Sequence, residues 1–132
     1  MIENFDRTSP AGAVKYFRNC IYLGDLKCAL SCFDPEAIYI ERDGQEIKGL
    51  VNIEKALESI CLWKPEIKGI KQRVTIVGDL AMWIDKYRVK AKMPNGDTIE
   101  MEGFTACIMK CNIDGIWLWL VDNPFAADDI AN

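Results

Sequence analysis

The stretch Trp83-Ile84-Asp85-Lys86-Tyr87-Arg88-Val89-Lys90-Ala91-Lys92-Met93-Pro94-Asn95-Gly96-Asp97-Thr98-Ile99-Glu100-Met101-Glu102-Gly103-Phe104-Thr105-Ala106-Cys107 decides the fold. Pro94 and Asn95 suit the centre of a type I turn, and Gly96 suits the left-handed position after it. A three-residue hairpin loop is therefore predicted. Met93 then faces Asp97, which sets Lys90 opposite Glu100 and Arg88 opposite Glu102. Both are favourable cross-strand charge pairs, and sliding by one residue destroys both. The same register puts Trp83, Asp85 and Tyr87 on one face with Met101, Gly103, Thr105 and Cys107.

From Ile67 onward, long strands are separated by Gly78-Asp79, Pro94-Asn95-Gly96 and Asp114-Gly115, the pattern of an antiparallel meander. If Asp114-Gly115 closes a two-residue hairpin, Leu118, Leu120 and Asp122 join the face of Trp83. Met82, Ile84, Ala106, Ile108, Trp117 and Trp119 then lie on the opposite face. The first face reads as a lined cavity holding two acids, Asp85 and Asp122. The second is a tryptophan-rich patch, costly to leave wet and expected to be a homodimer interface.

The first half reads as helices with one short hairpin. Thr8 or Ser9 caps a helix with Pro10 in its first turn, and Val14, Phe17 and Ile21 form its apolar stripe. Lys15, Arg18 and Asn19 fall off that stripe. Gly24 stops the helix and Asp25 caps a second, with the stripe Leu26, Ala29, Leu30 and Phe33 closed by Pro35. A strand through Glu41, the Asp43-Gly44 turn and a return strand through Ile47 follow. A third helix carries Ile53, Leu57 and Ile60 and stops before Pro65.

One domain of 132 residues is expected, with a core over residues 8–125 and a frayed tail over 126–132. A net charge of −4 disfavours nucleic acid or an anionic membrane as partner. No stretch approaches the ~20 apolar residues that span a bilayer. The N-terminus has no basic region followed by an apolar core, so a cytoplasmic protein is expected. The six cysteines are read as free thiols, mostly buried, with Cys28 and Cys32 at helical i, i+4 spacing. With no histidine and no paired C-x-x-C, neither a metal nor a cofactor is expected.

The absence of histidine also means that acid–base chemistry near neutral pH needs a tuned carboxylate, lysine, tyrosine or cysteine. Glu41 continues the apolar run Ala37-Ile38-Tyr39-Ile40 just before Arg42-Asp43-Gly44. Such an acid is either at the solvent edge, paired with Arg42 or Lys48, or held inside with a raised pKa.

Gly24-Asp25-Leu26, Phe33 through Ala37, Glu41, Gly44, Gly49 with Ile53, Gly78-Asp79-Leu80-Ala81, Asp114-Gly115-Ile116-Trp117 and Val121-Asp122-Asn123-Pro124-Phe125 together carry a resemblance. In this order and spacing they resemble the nuclear-transport-factor-2-like superfamily, within it the SnoaL-like and ketosteroid-isomerase-like proteins. The resemblance implies an α+β, cystatin-like or SnoaL-like cone. Three N-terminal helices pack on a strongly curved, mainly antiparallel sheet that encloses a pocket and dimerises through its outer face. Ketosteroid isomerases use a carboxylate near the end of the first strand to move a proton beside a carbonyl, and the ungapped match from Gly24 to Gly44 puts Glu41 there. It also puts Phe17 where they have an oxyanion-binding tyrosine, and Cys107 where they have a protonated aspartic acid. Tyr16, Tyr39 or Tyr87 are the available replacements. Asp122 resembles one of the two aspartates of the limonene-epoxide-hydrolase branch, whose Arg-x-Asp is absent from Trp83-Ile84-Asp85-Lys86-Tyr87. SnoaL-type polyketide cyclases, which use an aspartate, are a further branch.

Two functions follow. One is an enzyme on a small apolar or carbonyl-bearing molecule, with Glu41 as base and Asp85 or Asp122 assisting. Phe17, Tyr39, Trp63, Trp83, Tyr87, Met101, Thr105, Cys107 and Leu120 would contact the ligand. The other is a non-catalytic ligand-binding or dimerisation module. In that case Asp85 merely bonds Thr105 across the strands, and Asp122 caps the turn of Asn123 and Pro124.

Overall fold

Ser9 opens α1 (Pro10–Leu23), its hydroxyl accepting from the Gly12 N–H at 3.1 Å. Pro10 in the first turn loses no bond there, because that turn has no intrahelical acceptor for its N–H. Gly24 ends the helix at φ 71, and a Cβ on it would stand 2.9 Å from the Cys61 carbonyl oxygen. Glycine is therefore required both for the left-handed turn and for the close approach of the third helix. These relations come from a computed structural model that describes residues 5–127.

Asp25 caps α2 (Leu26–Leu30) through the Cys28 N–H. Phe33, expected on that helix, instead begins β1 (Phe33–Ile40). Pro35 is the reason: it biases Asp34 to extended backbone and cannot donate to a ladder. The pairing of β1 accordingly shifts register between Phe33 and Ile38. β2 (Glu46–Lys48) returns antiparallel to β1, and α3 (Leu50–Trp63) turns Ile53, Leu57 and Cys61 inward.

β3 (Glu66–Val77), β4 (Leu80–Lys92), β5 (Thr98–Cys111) and β6 (Trp117–Asp122) complete one six-stranded sheet in the order β2-β1-β6-β5-β4-β3. Every pairing is antiparallel except β1 with β6. The central register is the predicted one. Lys90 faces Glu100 with 3.3 Å between charges, Arg88 faces Glu102 at 3.2 Å, and Gly96 sits at φ 92.

The last hairpin differs from the expectation. The Asn112 N–H donates to the Ile116 carbonyl and the Gly115 N–H to the Asn112 carbonyl, so the loop has three residues, Ile113-Asp114-Gly115. The Asn112 side chain holds it by accepting from the N–H groups of Asp114 and Ile116. One extra loop residue slides the register by one and exchanges the faces. Trp117 now faces Cys111 and Trp119 faces Met109, both buried inside rather than on the outer face. A bulge at Leu120 then reverses the slip, because Ile108 faces Val121. Asp122 thereby returns to the inner face, as expected, while Leu120 is half-buried within the bulge.

The core lies between α1, α3 and this inner face, where Phe17 packs edge-on against Phe33 and Trp119. The thiols also differ from the expectation. Cys20 and Cys28 form a disulfide, because the Gly24-Asp25 turn folds α2 back until their Cα atoms are 5.6 Å apart. Among the described residues no helix is long and apolar enough to cross a membrane.

Inward burial of Trp117 sets a measurable cost. Trp117→Ala is expected to lose ~3–5 kcal/mol in chemical denaturation; a loss below ~1 kcal/mol would return the residue to the surface.

Candidate active site

Successive inner-face residues of the sheet form rows. Tyr39 of β1 lies beside Asp122 of β6, and Cys107 of β5 beside Trp83 of β4. The next rows are Thr105 with Asp85, Gly103 with Tyr87, and Met101 with Val89. A cleft of about 570 Å³ opens onto Tyr39, Asp122, Thr105, Gly103, Tyr87, Met101 and Val89 of these rows beneath α1 and α3. Its floor includes Tyr39, Trp119 and Asp122, and its upper wall Ile60, Trp63 and Met101. Gly103 makes room for Tyr87: a Cβ there would stand 2.6 Å from the phenol Cζ. The Tyr87 hydroxyl donates to the Pro124 carbonyl, so it is already engaged, and burial pushes its pKa up to about 12.

Asp85 is 2 % exposed. It accepts from the Thr105 hydroxyl, as expected, and its N–H donates to Thr105 Oγ1. The unanticipated partner is Arg18, whose guanidinium grips both carboxylate oxygens, at 2.7 Å and 3.1 Å. Val14, Phe17, Arg18 and Ile21 share the inward side of α1, since positions three and four apart are neighbours on a helix. That spacing, together with an acid on an apolar strand face, was the available signal.

Asp122 is 3 % exposed, and among the described residues no cation lies within ion-pair distance of it. The Cys107 thiol donates to its Oδ1 at 3.5 Å, while the Asn123 N–H donates to the Cys107 sulfur at 3.3 Å. Burial pushes the Asp122 pKa up to about 7, opposed by the Cys107 bond and the Arg18 charge and reinforced by Asp85. Burial likewise raises Tyr39, helped by the negative charges of Asp122 and Glu41, so its hydroxyl stays a neutral donor. Trp119 contributes an indole N–H that is buried with no partner among the described residues.

Of the expected contacts, Phe17, Tyr39, Trp63, Tyr87, Met101 and Thr105 line the cleft with Asp122. Cys107, Trp83 and Leu120 are outside the lining, and Asp85 stands behind Arg18. Glu41 is half-buried in the β1–β2 turn, where its N–H donates to the Gln45 carbonyl and its carbonyl accepts from Gly44. It too lies outside the cleft lining. Tyr16 stacks under Arg7 and packs against the core with its hydroxyl 3.2 Å from the Cys28 sulfur, outside the cleft lining. Arg18, Trp119, and Arg42 with its guanidinium 4.4 Å over Phe125 are the charged and indole-bearing residues among the lining that sequence reasoning did not assign to the site.

Solved structures similar to this one share its architecture. A candidate ketosteroid isomerase from Shewanella frigidimarina aligns with a TM-score of 0.73 at 18% identity, covering 86% of this chain and 93% of its own. A candidate dehydratase of the NTF2-like family from Streptomyces avermitilis aligns at 0.75 and 13% identity, covering 85% and 89%. An NTF2-like protein with a cystatin-like fold from Novosphingobium aromaticivorans aligns at 0.69 and 12%, covering 83% and 74%. The fold is NTF2-like. No family model matches the sequence, and no curated protein matches it.

Within this NTF2-like cone, the raised Asp122 couples stability to pH. Its folded pKa lies above its unfolded value, so its contribution is complete below pH ~4 and is lost as pH rises through about 7. The native protein should lose ~1.4 kcal/mol per pH unit across that window from this group. Asp122→Asn should remove that slope in urea denaturation, and an unchanged slope would place the carboxyl in water.

Proposed function

We propose that the cleft receives a small, largely apolar molecule bearing a carbonyl group, and that Asp122 moves a proton on the carbon beside it. The observation that carries this reading is a buried carboxyl on an apolar cleft, with no cation at ion-pair distance among the described residues. Near neutral pH such a group is populated as both base and acid, which is what proton shuttling requires. As carboxylate, Asp122 takes the α-proton and leaves the electron pair on the carbonyl oxygen as an enolate. The donors for that oxygen are the Trp119 indole N–H, without a partner among the described residues, and the neutral Tyr39 hydroxyl. Arg18 adds positive charge from the wall. The proton then returns to carbon, giving isomerisation, or to a departing hydroxyl, giving dehydration. The similar structures described as candidate isomerases and dehydratases fit that pair of outcomes. Burial and the Asp122 charge raise the Tyr39 pKa most, and Glu41 adds a smaller contribution from the adjacent turn.

Incubating the protein with an aryl ketone such as propiophenone in D2O tests the reading by NMR. Exchange of the α-protons is expected, and Asp122→Asn should slow it ~100-fold or more. Glu41→Gln should slow it far less. Equal exchange by native protein and Asp122→Asn would assign the cleft to binding alone.

We also propose that the outer sheet face pairs two copies of the chain. Leu80, Met82, Ile84, Phe104 and Ile108 are exposed there on adjoining strands, with Met82 directly opposite Ile108. Contiguous apolar surface of this kind favours burial against a second copy. Ile108→Glu should sediment as a monomer where the native protein sediments as a dimer; a native monomer would remove the proposal.

A further inference from the structure

A second cavity, of about 480 Å³, opens between α1 and the first half of β3. Arg18 and Ile67 line both cavities and form the wall between them. The two differ in chemistry. The groove is rich in donors, with Lys15, Asn19 and Tyr22 from α1 and Lys68 and Gln72 from β3. Trp83 lies against it, 1 % exposed, and its indole N–H has no partner among the described residues. A buried donor left unpaired is unfavourable, so an acceptor that reaches it is favoured.

Gly69 makes the Arg18–Asp85 pair accessible from this side. A Cβ at Gly69 would lie 3.5 Å from Arg18 Nη1 and 3.7 Å from Asp85 Oδ2, in ordinary contact over both. With glycine at that position, the guanidinium can present a remaining N–H to the groove. Charge then limits the occupant. Lys15, Lys68 and Arg18 face Glu66 and Asp85, and Lys68 stands 3.7 Å from Glu66 at the rim. The excess is one positive charge, enough for a monoanion and unfavourable to a dianion such as phosphate. Ala11, Val14, Ile67 and the Trp83 ring supply apolar walls.

We propose that this groove is a second binding site, separate from the cleft, for a small monocarboxylate with an apolar body. The carboxylate accepts from the Trp83 indole N–H and from Arg18, and the lysines at the rim steer it in. This site does not depend on the proton chemistry assigned to Asp122.

Each cavity has its own reporter, because Trp83 lines the groove and Trp119 the cleft. Phenylacetate titrated into labelled protein should move the Trp83 indole N–H resonance saturably, with a Kd on the order of 1 mM, and leave that of Trp119 in place. Trp83→Phe identifies the resonance by removing it. Phenylacetamide, neutral and of the same shape, should produce little shift, as should phosphate. Lys15→Ala, and Gly69→Ala with its methyl over Arg18 Nη1, should each weaken the phenylacetate response several-fold, whereas Asp122→Asn should not. Movement of Trp119 instead of Trp83, an equal response to phenylacetamide, or no weakening by either variant would overturn the proposal.

Discussion

Asp85 points into the concave side of the sheet, where its own strand offers nothing that could neutralise it. A carboxylate buried alone costs several kcal/mol, so the structure depends on a cation arriving from elsewhere. Arg18 arrives from α1 and grips both oxygens. Buried pairs of this kind add little net stability compared with well-packed apolar residues. Their effect is positional: the pair fixes where α1 crosses the sheet. It therefore fixes the height of the cleft on one side and the groove on the other.

The same pair separates the roles of two inner-face acids. Asp85 has Arg18 and Thr105. Asp122, beside Cys107 in the adjoining row of the sheet, has among the described residues a thiol on Oδ1 and no cation at contact distance. Desolvation acts on both, but only one is given a counter-charge at contact distance, and carboxyls in environments that differ this much are suited to different tasks. The floor of the cleft thus holds a group near its titration point without any histidine.

Much of the architecture was legible because local chemistry and global pattern agreed. Ser9, Gly24 and Asp25 punctuate the helices through backbone bonds made within a few residues. Pro94-Asn95-Gly96 fixed the longest pairing, and the charges across it admitted one register only. Legibility failed where a single residue decided between two loops. Asn112, bonding the Asp114 and Ile116 N–H groups, lengthens the last turn and turns two tryptophans inward. Leu120 then cancels that slip in a bulge that no local signal announced. Arg18 fell off the expected stripe, yet faces inward to Asp85, because a stripe drawn from apolar residues omits the charged residue flanking it. Glu41 drew attention through its place along the chain, yet a turn residue's access to a cavity depends on how strands beyond it curve.

By itself the sequence determined the order of elements, the central hairpin register and the inner-face positions of Asp85, Tyr87 and Thr105. Those follow from turn geometry and period-two alternation, which act over a few residues. Only the tertiary structure decided which acid stays unpaired, which tryptophans are buried and where the cleft and groove open. Such questions turn on contacts between residues far apart in the chain, Arg18 with Asp85 and Cys107 with Asp122. Partner identity across those distances is settled by packing, and packing is a property of the whole fold.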